Sequence, residues 1–247
     1  MSTVSGRHYL GIDLGGTNIK VGIVNDQGKV VRHVSVPTAG MAASGDGVRP
    51  SPDARSAAHV VARMIAASRQ VMADAGIAPR NLMAVGVLSP GQANLSKGVV
   101  MRSANLPLWK NVPLRAKISK GLNLPAVLEN DANAAAYGEW WAGAGRGTGK
   151  KPIDNLFMLT LGTGVGGGLV YEGKVIRGAF DFATEVGHMI MIPGGNLCGC
   201  GQRGCLETYC SAYYTGKRAT DALPFSVTLR KKSSLGKVLT ETGRVSA

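Results

Sequence analysis

One histidine and three cysteines stand close together in the segment EVGHMIMIPGGNLCGCGQRGCLE, Glu185 to Glu207. One imidazole and three thiolates are a common closed ligand set for tetrahedral structural Zn²⁺. Glycines lie between the cysteines and would let the loop wrap tightly around an ion. We therefore predict a structural zinc site formed by His188, Cys198, Cys200 and Cys205.

A fourth cysteine, Cys210, competes with His188 for the last ligand position. If the chain is helical from about Cys205, Cys210 lies roughly 140° around the helix and points away. We therefore expect His188 to be the ligand and Cys210 to be a packed free thiol. A thioredoxin-like redox centre would need a C-x-x-C pair, and the sequence has none. A catalytic zinc would need an open coordination position, whereas this ligand set is already full.

Two glycine-rich turns could bind phosphate, namely IDLGGT (Ile12 to Thr17) and LGTGVGGG (Leu161 to Gly168). Glycine lets backbone N–H groups approach an anion because no side chain intervenes. The G-x-G-x-x-G match in the second turn does not predict a Rossmann site, because a hairpin and not a helix follows it. GRGTGKK (Gly145 to Lys151) departs from a Walker A loop at two positions. Either turn alone is most simply a tight turn, but the pair favours a phosphate site.

Two aspartates stand at the ends of predicted strands. Asp13 follows the first strand and is suited to hold hydrated Mg²⁺ beside phosphates. Asp131 ends LPAVLEND and opens a helix, so it could take a proton from an attacking hydroxyl. Asn130 and Asp131 could also cap that helix, and capping does not exclude catalysis.

Together these motifs resemble those of the ROK family of sugar kinases, within the larger actin-like, Hsp70-like and hexokinase-like fold. The resemblance runs from about Tyr9 to Tyr213 and is most specific in its last two motifs. The matching stretches are IDLGGT, END (Glu129 to Asp131), LGTGVGGG, EVGH (Glu185 to His188) and CGCGQRGCLE (Cys198 to Glu207). The resemblance implies an α/β fold of the actin-like ATPase or ribonuclease H-like type, with two lobes facing a cleft. Residues 1–130 would form the N-terminal lobe and residues 131–247 the C-terminal lobe.

The resemblance also implies roles for individual residues. Asp131 would be the catalytic base. The zinc would fix the cysteine loop, while the other edge of the His188 imidazole faces the sugar. The implied sugar-binding residues are Asn105, Asn130, Asp131, Glu185, His188 and Glu207. The implied residues for the ATP phosphates are Asp13, Gly15, Gly16, Thr17, Thr163 and Gly164.

The function expected from this resemblance is Mg²⁺- and ATP-dependent phosphorylation of a hexose 6-hydroxyl, with glucose as the first choice. N-acetylmannosamine kinase, fructokinase and polyphosphate glucokinase are alternatives within the enzyme class. A non-catalytic, truncated sugar-binding protein is an alternative outside it. A ROK-type transcriptional repressor is disfavoured, because the first strand begins within about ten residues and leaves no room for a DNA-binding domain.

The end of the sequence departs from the family pattern. Family members continue past the zinc motif with further helices and a glycine-rich turn that holds adenosine. Here the sequence after Tyr214 becomes polar and basic and contains no such turn. We therefore expect a C-terminally truncated member with an incomplete second lobe.

Hydrophobic periodicity predicts the elements that position these residues. A helix carries Val60, Met64 and Val71 on one face and ends at Gly76. Two antiparallel meanders are predicted, the first before the helix and the second from Asn155 onward. The predicted strands are Tyr9–Asp13, Ile19–Val24, Val30–Val36, Leu82–Leu88, Leu124–Asp131, Leu156–Leu161, Gly168–Tyr171 and Lys174–Ile176.

Composition limits the class of protein. The chain has 247 residues, a formal charge of +13 and four cysteines, too few for a disulfide-built secreted protein. No apolar run approaches the roughly 20 residues of a membrane helix, so we expect a cytoplasmic protein with no membrane partner. Basic residues recur in LRKKSSLGK (Leu229 to Lys237), and the charge is most simply a solvated basic surface. No nucleic-acid-binding signature accompanies it, and a homodimer is one assembly that the sequence leaves open.

Overall fold

The computed structural model of the protein describes residues 6–39, 52–103, 106–146 and 153–222. Two predicted features lie outside these residues: Asn105 and the basic tail at Leu229 to Lys237. The fold is α/β, as predicted. In chain order its strands and helices are β1 (His8–Leu14), β2 (Asn18–Asn25), β3 (Val30–Pro37), α1 (Ala57–Ala75), β4 (Leu82–Ser89), β5 (Gln92–Asn94), β6 (Val99–Arg102), α2 (Leu114–Leu122), β7 (Ala126–Asn130), α3 (Asp131–Ala142), β8 (Leu156–Leu161), β9 (Val165–Tyr171), β10 (Lys174–Val175), α4 (Glu207–Cys210) and α5 (Ala212–Ala222).

A five-stranded sheet with the order β3-β2-β1-β4-β7 is the largest sheet among the described residues. The pairs β1–β2 and β2–β3 are antiparallel, which confirms the first predicted meander. The pairs β1–β4 and β4–β7 are parallel. Parallel neighbours need a crossover connection. Here α1 and α2 lie in those connections, with α1 packed on β2 and β3 and α2 on β7.

The core of this sheet follows from the alternation of its strands. In β1 every second side chain is buried, including Leu10, Ile12 and Leu14. The predicted face of α1 is buried against the sheet, with Met64 and Val71 fully buried. Each such side chain contributes roughly 1.5–3 kcal/mol relative to full exposure. The alternation of apolar residues therefore decides which face of the sheet receives the helices.

Three elements between β4 and β7 were not predicted, namely β5, β6 and α2. The short strands β5 and β6 form a hairpin between β4 and α2. Helix α2 buries Leu114, Ile118 and Leu122, which recur every four residues along one face. The strand before Asp131 is also shorter than predicted: β7 ends at Asn130, and Asp131 is the first residue of α3.

The second meander is confirmed as the sheet β10-β9-β8. Strand β9 begins at Val165, three residues earlier than predicted. The tight turn between β9 and β10 has positive φ at both Glu172 and Gly173, as the right-handed twist of a hairpin favours.

The described residues divide into two compact units. The first contains those up to Leu156 together with Val170–Ala183. The second contains Phe157–Leu169 and the residues from Thr184 onward. The lobe boundary expected between residues 130 and 131 stays a prediction. None of the helices in the described part of the chain is both long and apolar enough to span a membrane.

Two glycine substitutions test the boundaries and interiors of the helices. Gly76 caps α1 with φ 65°, and an added Cβ would contact nothing. We expect Gly76→Ala to destabilise the protein by about 1 kcal/mol, because alanine disfavours positive φ.

Gly138 lies inside α3 and also has free space for a Cβ. There Gly138→Ala should stabilise by about 0.5–1 kcal/mol. Thermal unfolding measures both. A Gly76→Ala variant that melts at or above the wild type would contradict the assignment of Gly76 as the cap of α1.

Candidate functional site

Parallel pairing brings two predicted carboxylates to one edge of the large sheet. Asp13 in β1 pairs with Leu88 in β4, and Leu88 pairs with Glu129 in β7. Asp131 follows two residues after Glu129. Ligands of open α/β sheets bind outside the carboxyl ends of parallel strands. Asp13 and Asp131 therefore lie where such a ligand would bind.

Burial dominates the electrostatics of this carboxylate pair. Desolvation raises the pKa of Asp131, and the negative charge of Asp13 raises it further. The Ala132 N–H donates to Asp131 Oδ1 at 2.9 Å and lowers the pKa of Asp131 in part. Desolvation also raises the pKa of Asp13, against the opposing charge of Lys20. Two carboxylates held this way have a high affinity for a proton or a hard cation such as Mg²⁺.

The first glycine turn begins two residues after Asp13. The Gly15 N–H donates to the Asn18 carbonyl at 3.0 Å. A Cβ on Gly15 would lie 2.7 Å from that same oxygen, so the turn requires glycine. Thr17 is exposed at the end of the turn. The predicted phosphate-binding residues Asp13, Gly15, Gly16 and Thr17 are thus contiguous in the first unit.

A hydrogen-bond network fixes the backbone around Asp131. Arg177 forms an ion pair with Glu129 Oε2, at 2.7 Å from Nε and 2.6 Å from Nη2. Glu129 Oε1 accepts from the Asn130 N–H and from Asn133 Nδ2. Asn130 caps α3 as predicted, because its Oδ1 accepts from the Asn133 N–H at 3.1 Å.

Sequence reasoning missed Glu129 and Arg177 as residues that support the catalytic motif. Glu129 lies inside the END motif, so its position was visible. Arg177 is 48 residues further along the chain, and nothing local in the sequence connects the two.

In the second unit, the four predicted metal ligands come together. The ligand atoms of His188, Cys198, Cys200 and Cys205 all lie within 4.8 Å of one another. His188 Nδ1 is 3.6 Å from Cys198 Sγ. The Sγ atoms of Cys200 and Cys205 are 3.7 Å apart, too far for a disulfide.

These separations fit a tetrahedral ion. With Zn–S bonds of about 2.3 Å and Zn–N bonds of about 2.0–2.1 Å, two sulfurs lie about 3.8 Å apart and a nitrogen and a sulfur about 3.5–3.6 Å apart. Burial raises the pKa of both Cys198 and Cys205, so a bound cation is needed to stabilise their thiolates. Both the spacing and the chemistry of the ligands therefore fit zinc.

Cys210 stays outside the cluster, as expected, but for a partly different reason. Helix α4 begins at Glu207 and not near Cys205. The Cys210 thiol is exposed and not packed, and its Sγ donates to the Leu206 carbonyl at 3.4 Å. The prediction of a packed thiol was therefore wrong. Cys210 is not among the four residues whose ligand atoms cluster, and its exclusion from the ligands stays a prediction.

Glu207 connects the cysteine cluster to the second glycine turn. While the Cys198 thiol keeps its proton, Glu207 Oε1 accepts from Cys198 Sγ at 3.0 Å; Oε1 also lies 3.8 Å from His188 Nδ1. Its Oε2 accepts from the Val165 N–H at 3.4 Å. A Cβ on Gly164 would lie 2.8 Å from Oε2, which explains the glycine there. Glu207, predicted only as a sugar ligand, is therefore also a structural link inside the second unit.

The EVGH motif packs against the same strand. Val186–His188 form a 3₁₀ turn, and Glu185 is the exposed residue before it. A Cβ on Gly187 would overlap the Val165 carbonyl, so the motif requires glycine at this position. Since His188 Nδ1 faces Cys198, the Nε2 edge is the one left for another partner.

The ROK family profile matches residues 9–221 of the chain. The chain belongs to the ROK family. It is 39% identical over 203 residues to a glucokinase of Thermotoga maritima, covering 82% of this chain and 57% of that protein. It is 35% identical over 236 residues to a glucokinase of Halalkalibacterium halodurans, covering 94% of this chain and 64% of that protein.

A solved structure agrees with the fold. The chain superposes on a ROK family glucokinase from Streptomyces griseus, in complex with glucose and AMPPNP, with a TM-score of 0.72 and 32% identity. The match covers 96% of this chain and 70% of that structure. The chain thus has the α/β fold of ROK kinases, while spanning 57% and 64% of the length of the two curated glucokinases.

Elemental analysis of the purified protein is expected to give one zinc per chain. Cys200→Ser removes one ligand and should reduce the zinc content at least tenfold. Cys210→Ser is the matched control and should keep full zinc, because Cys210 lies outside the cluster. A chelator should lower the melting temperature of the wild type and of Cys210→Ser, but not that of Cys200→Ser. Zinc loss in Cys210→Ser would contradict the ligand set.

The raised pKa of Asp131 predicts a pH-dependent stability. Between the unfolded pKa, near the ordinary aspartate value of 3.8, and the higher folded pKa, the folded chain binds more protons than the unfolded chain. The free energy of unfolding therefore falls as pH rises through this window. Without added magnesium, Asp131→Asn should melt above the wild type at pH 7 and close to it below pH 3.8.

The control is Asp221→Asn, at an exposed carboxylate in α5. The difference in melting temperature between this variant and the wild type should not change between pH 3.8 and pH 7. An Asp131→Asn variant that is less stable than the wild type at pH 7 would overturn the account.

Proposed function

We propose that the protein is an ATP-dependent hexose kinase that transfers the terminal phosphoryl group to the 6-hydroxyl of glucose. One observation carries the proposal: Asp13, Asp131 and the Gly15–Thr17 turn lie together at the carboxyl edge of β1 and β7. The identity to two glucokinases supports glucose as the acceptor.

Asp131 is the proposed base. Burial raises the pKa of Asp131 towards neutral pH, and a general base is most effective when its pKa lies near the working pH. The Ala132 N–H holds the carboxylate in place by donating to Oδ1. The Glu129–Arg177 pair holds the strand end from which Asp131 projects. Asp131 would receive the proton as the hydroxyl oxygen bonds to phosphorus and the bond from phosphorus to the ADP oxygen breaks.

Asp13 and the first turn are proposed to hold the donor. Asp13 would ligate Mg²⁺, which neutralises charge on the phosphates. Gly15 has no side chain that could block the backbone N–H groups of Gly16 and Thr17. These N–H groups would point at the phosphates. Thr163 and Gly164 are the proposed phosphate contacts in the second turn.

We propose that polar side chains recognise the sugar. A wrong epimer would leave one of them buried without a hydrogen-bond partner, which would disfavour its binding. Zinc would hold the loop that carries Glu207 and the Nε2 edge of His188. The proposed residues are Asn105, Asn130, Asp131, Glu185, His188 and Glu207. In this proposal residues 1–130 carry the first phosphate turn and part of the sugar site, and residues 131–247 carry the base, the second phosphate turn and the zinc loop.

A coupled ADP assay over a hexose panel tests the function. Glucose with Mg²⁺ and ATP should give the highest kcat/KM, and Asp131→Asn should lower kcat about 10²–10⁴-fold. Asp221→Asn, the matched carboxylate control, should stay within twofold of the wild type. Full activity in Asp131→Asn would overturn the assignment of the base.

Two further measurements separate the alternatives. Phosphorylation of glucose with polyphosphate and not with ATP would show that polyphosphate is the phosphoryl donor. Calorimetric binding of glucose with no ADP formed would show a sugar-binding protein without catalysis.

A further inference from the structure

A single buried threonine, Thr38, holds both ends of the first glycine turn. It follows β3 and is fully buried. Its Oγ1 donates to the Gly15 carbonyl at 2.7 Å, and its N–H donates to the Thr17 carbonyl at 2.8 Å. Pro37, the residue before it, has no N–H, so Thr38 supplies the next donor after the strand pairing.

These two bonds set the direction of two peptide groups. The peptide unit is planar and trans, so its N–H points opposite to its C=O. With the Gly15 carbonyl held towards Thr38, the Gly16 N–H points to the opposite side. The Thr17 carbonyl fixes the Asn18 N–H in the same way. A turn built from two glycines has many accessible backbone conformations, so this restraint matters more here than elsewhere.

Arg63 holds Thr38 from behind. Its Nη1 donates to the Thr38 carbonyl at 2.7 Å and to the Ala54 carbonyl at 3.1 Å. Arg63 projects from α1, the helix that packs on β2 and β3. Within the described residues no carboxylate lies within ion-pair distance of Arg63, so the guanidinium acts here as a donor to backbone. The chain of contacts thus runs from a core helix through Thr38 to the turn.

We propose that Thr38 is a positioning residue for the nucleotide phosphates and that Arg63 supports it. Thr38 does not contact the substrate. It keeps the Gly16 N–H directed outward, so that no conformational entropy is lost in the turn when phosphate binds. This inference rests on the proposed function, because it assigns the ligand of the turn as a nucleotide phosphate.

Thr38→Val tests the proposal because it keeps the shape of the side chain and removes the Oγ1 donor. We expect the Kd for Mg²⁺·AMPPNP, measured by calorimetry, to rise about 5–10-fold, and the KM for ATP to rise similarly. The KM for glucose should stay within twofold. Thr38→Ser keeps the hydroxyl and should restore the wild-type Kd.

Ser68→Ala is the matched control for loss of a buried hydroxyl. Ser68 is fully buried in α1 and donates to the Met64 carbonyl at 2.7 Å, without any bond to the turn. It should leave the Kd for AMPPNP unchanged. Arg63→Gln removes the charge and the guanidinium that donates to the Thr38 and Ala54 carbonyls. It should raise the Kd for AMPPNP less than Thr38→Val does.

Hydrogen exchange gives a readout that needs no nucleotide. In Thr38→Val the amides of Gly15 and Thr38, whose N–H groups donate to the Asn18 and Thr17 carbonyls, should exchange faster than in the wild type and in Thr38→Ser. Unchanged exchange, or an unchanged Kd for AMPPNP in Thr38→Val, overturns the positioning role while the proposed function stands. A wild-type chain that does not bind AMPPNP contradicts the donor in the proposed function, and with it the phosphate role of Thr38.

Discussion

The parallel register of β1, β4 and β7 is the constraint on which the candidate site depends. It sets Asp13, Leu88 and Glu129 at one level, so that Asp13 and Asp131, which are 118 residues apart in sequence, come to one edge of the sheet. The buried alternation of β1 and the apolar face of α1 maintain that register, because a slip by one residue would turn the apolar side chains of β1 out of the core. The raised pKa of Asp131 is a consequence, since burial and a like charge both come from this arrangement.

The second unit obeys a different constraint, namely close approach. Gly164 and Gly187 lie where a side chain would collide with Glu207 or with the Val165 carbonyl. The EVGH turn therefore packs against the backbone of Val165, and Gly164 packs against the Glu207 carboxylate. Glu207 contacts Cys198 through Oε1 and Val165 through Oε2. A change in the conformation of the metal loop would thus move Glu207 and, through it, the glycine turn.

Local patterns predicted well, and non-local contacts did not. The meander β1–β3, the face of α1 and the four metal ligands follow from short spacings that each element satisfies by itself. Helix α2 was missed although Leu114, Ile118 and Leu122 recur on one face, because it spans only two and a half turns. The contacts of Thr38 with the first turn and of Arg177 with Glu129 join residues 23 and 48 positions apart. No pattern in a single sequence connects such pairs.

The separation between Arg177 and Glu129 also has a consequence for folding. A chain made from its N-terminus can pair β1, β2, β3, β4 and β7 before Arg177 exists, since all five strands end by Asn130. Until then the carboxylate of Glu129 lacks its cation and keeps only its hydrogen bonds with Asn130 and Asn133. Closing that loop costs conformational entropy, which the Arg177–Glu129 contacts help to offset. The proposed catalytic edge would then be among the last parts of the first unit to become ordered during synthesis.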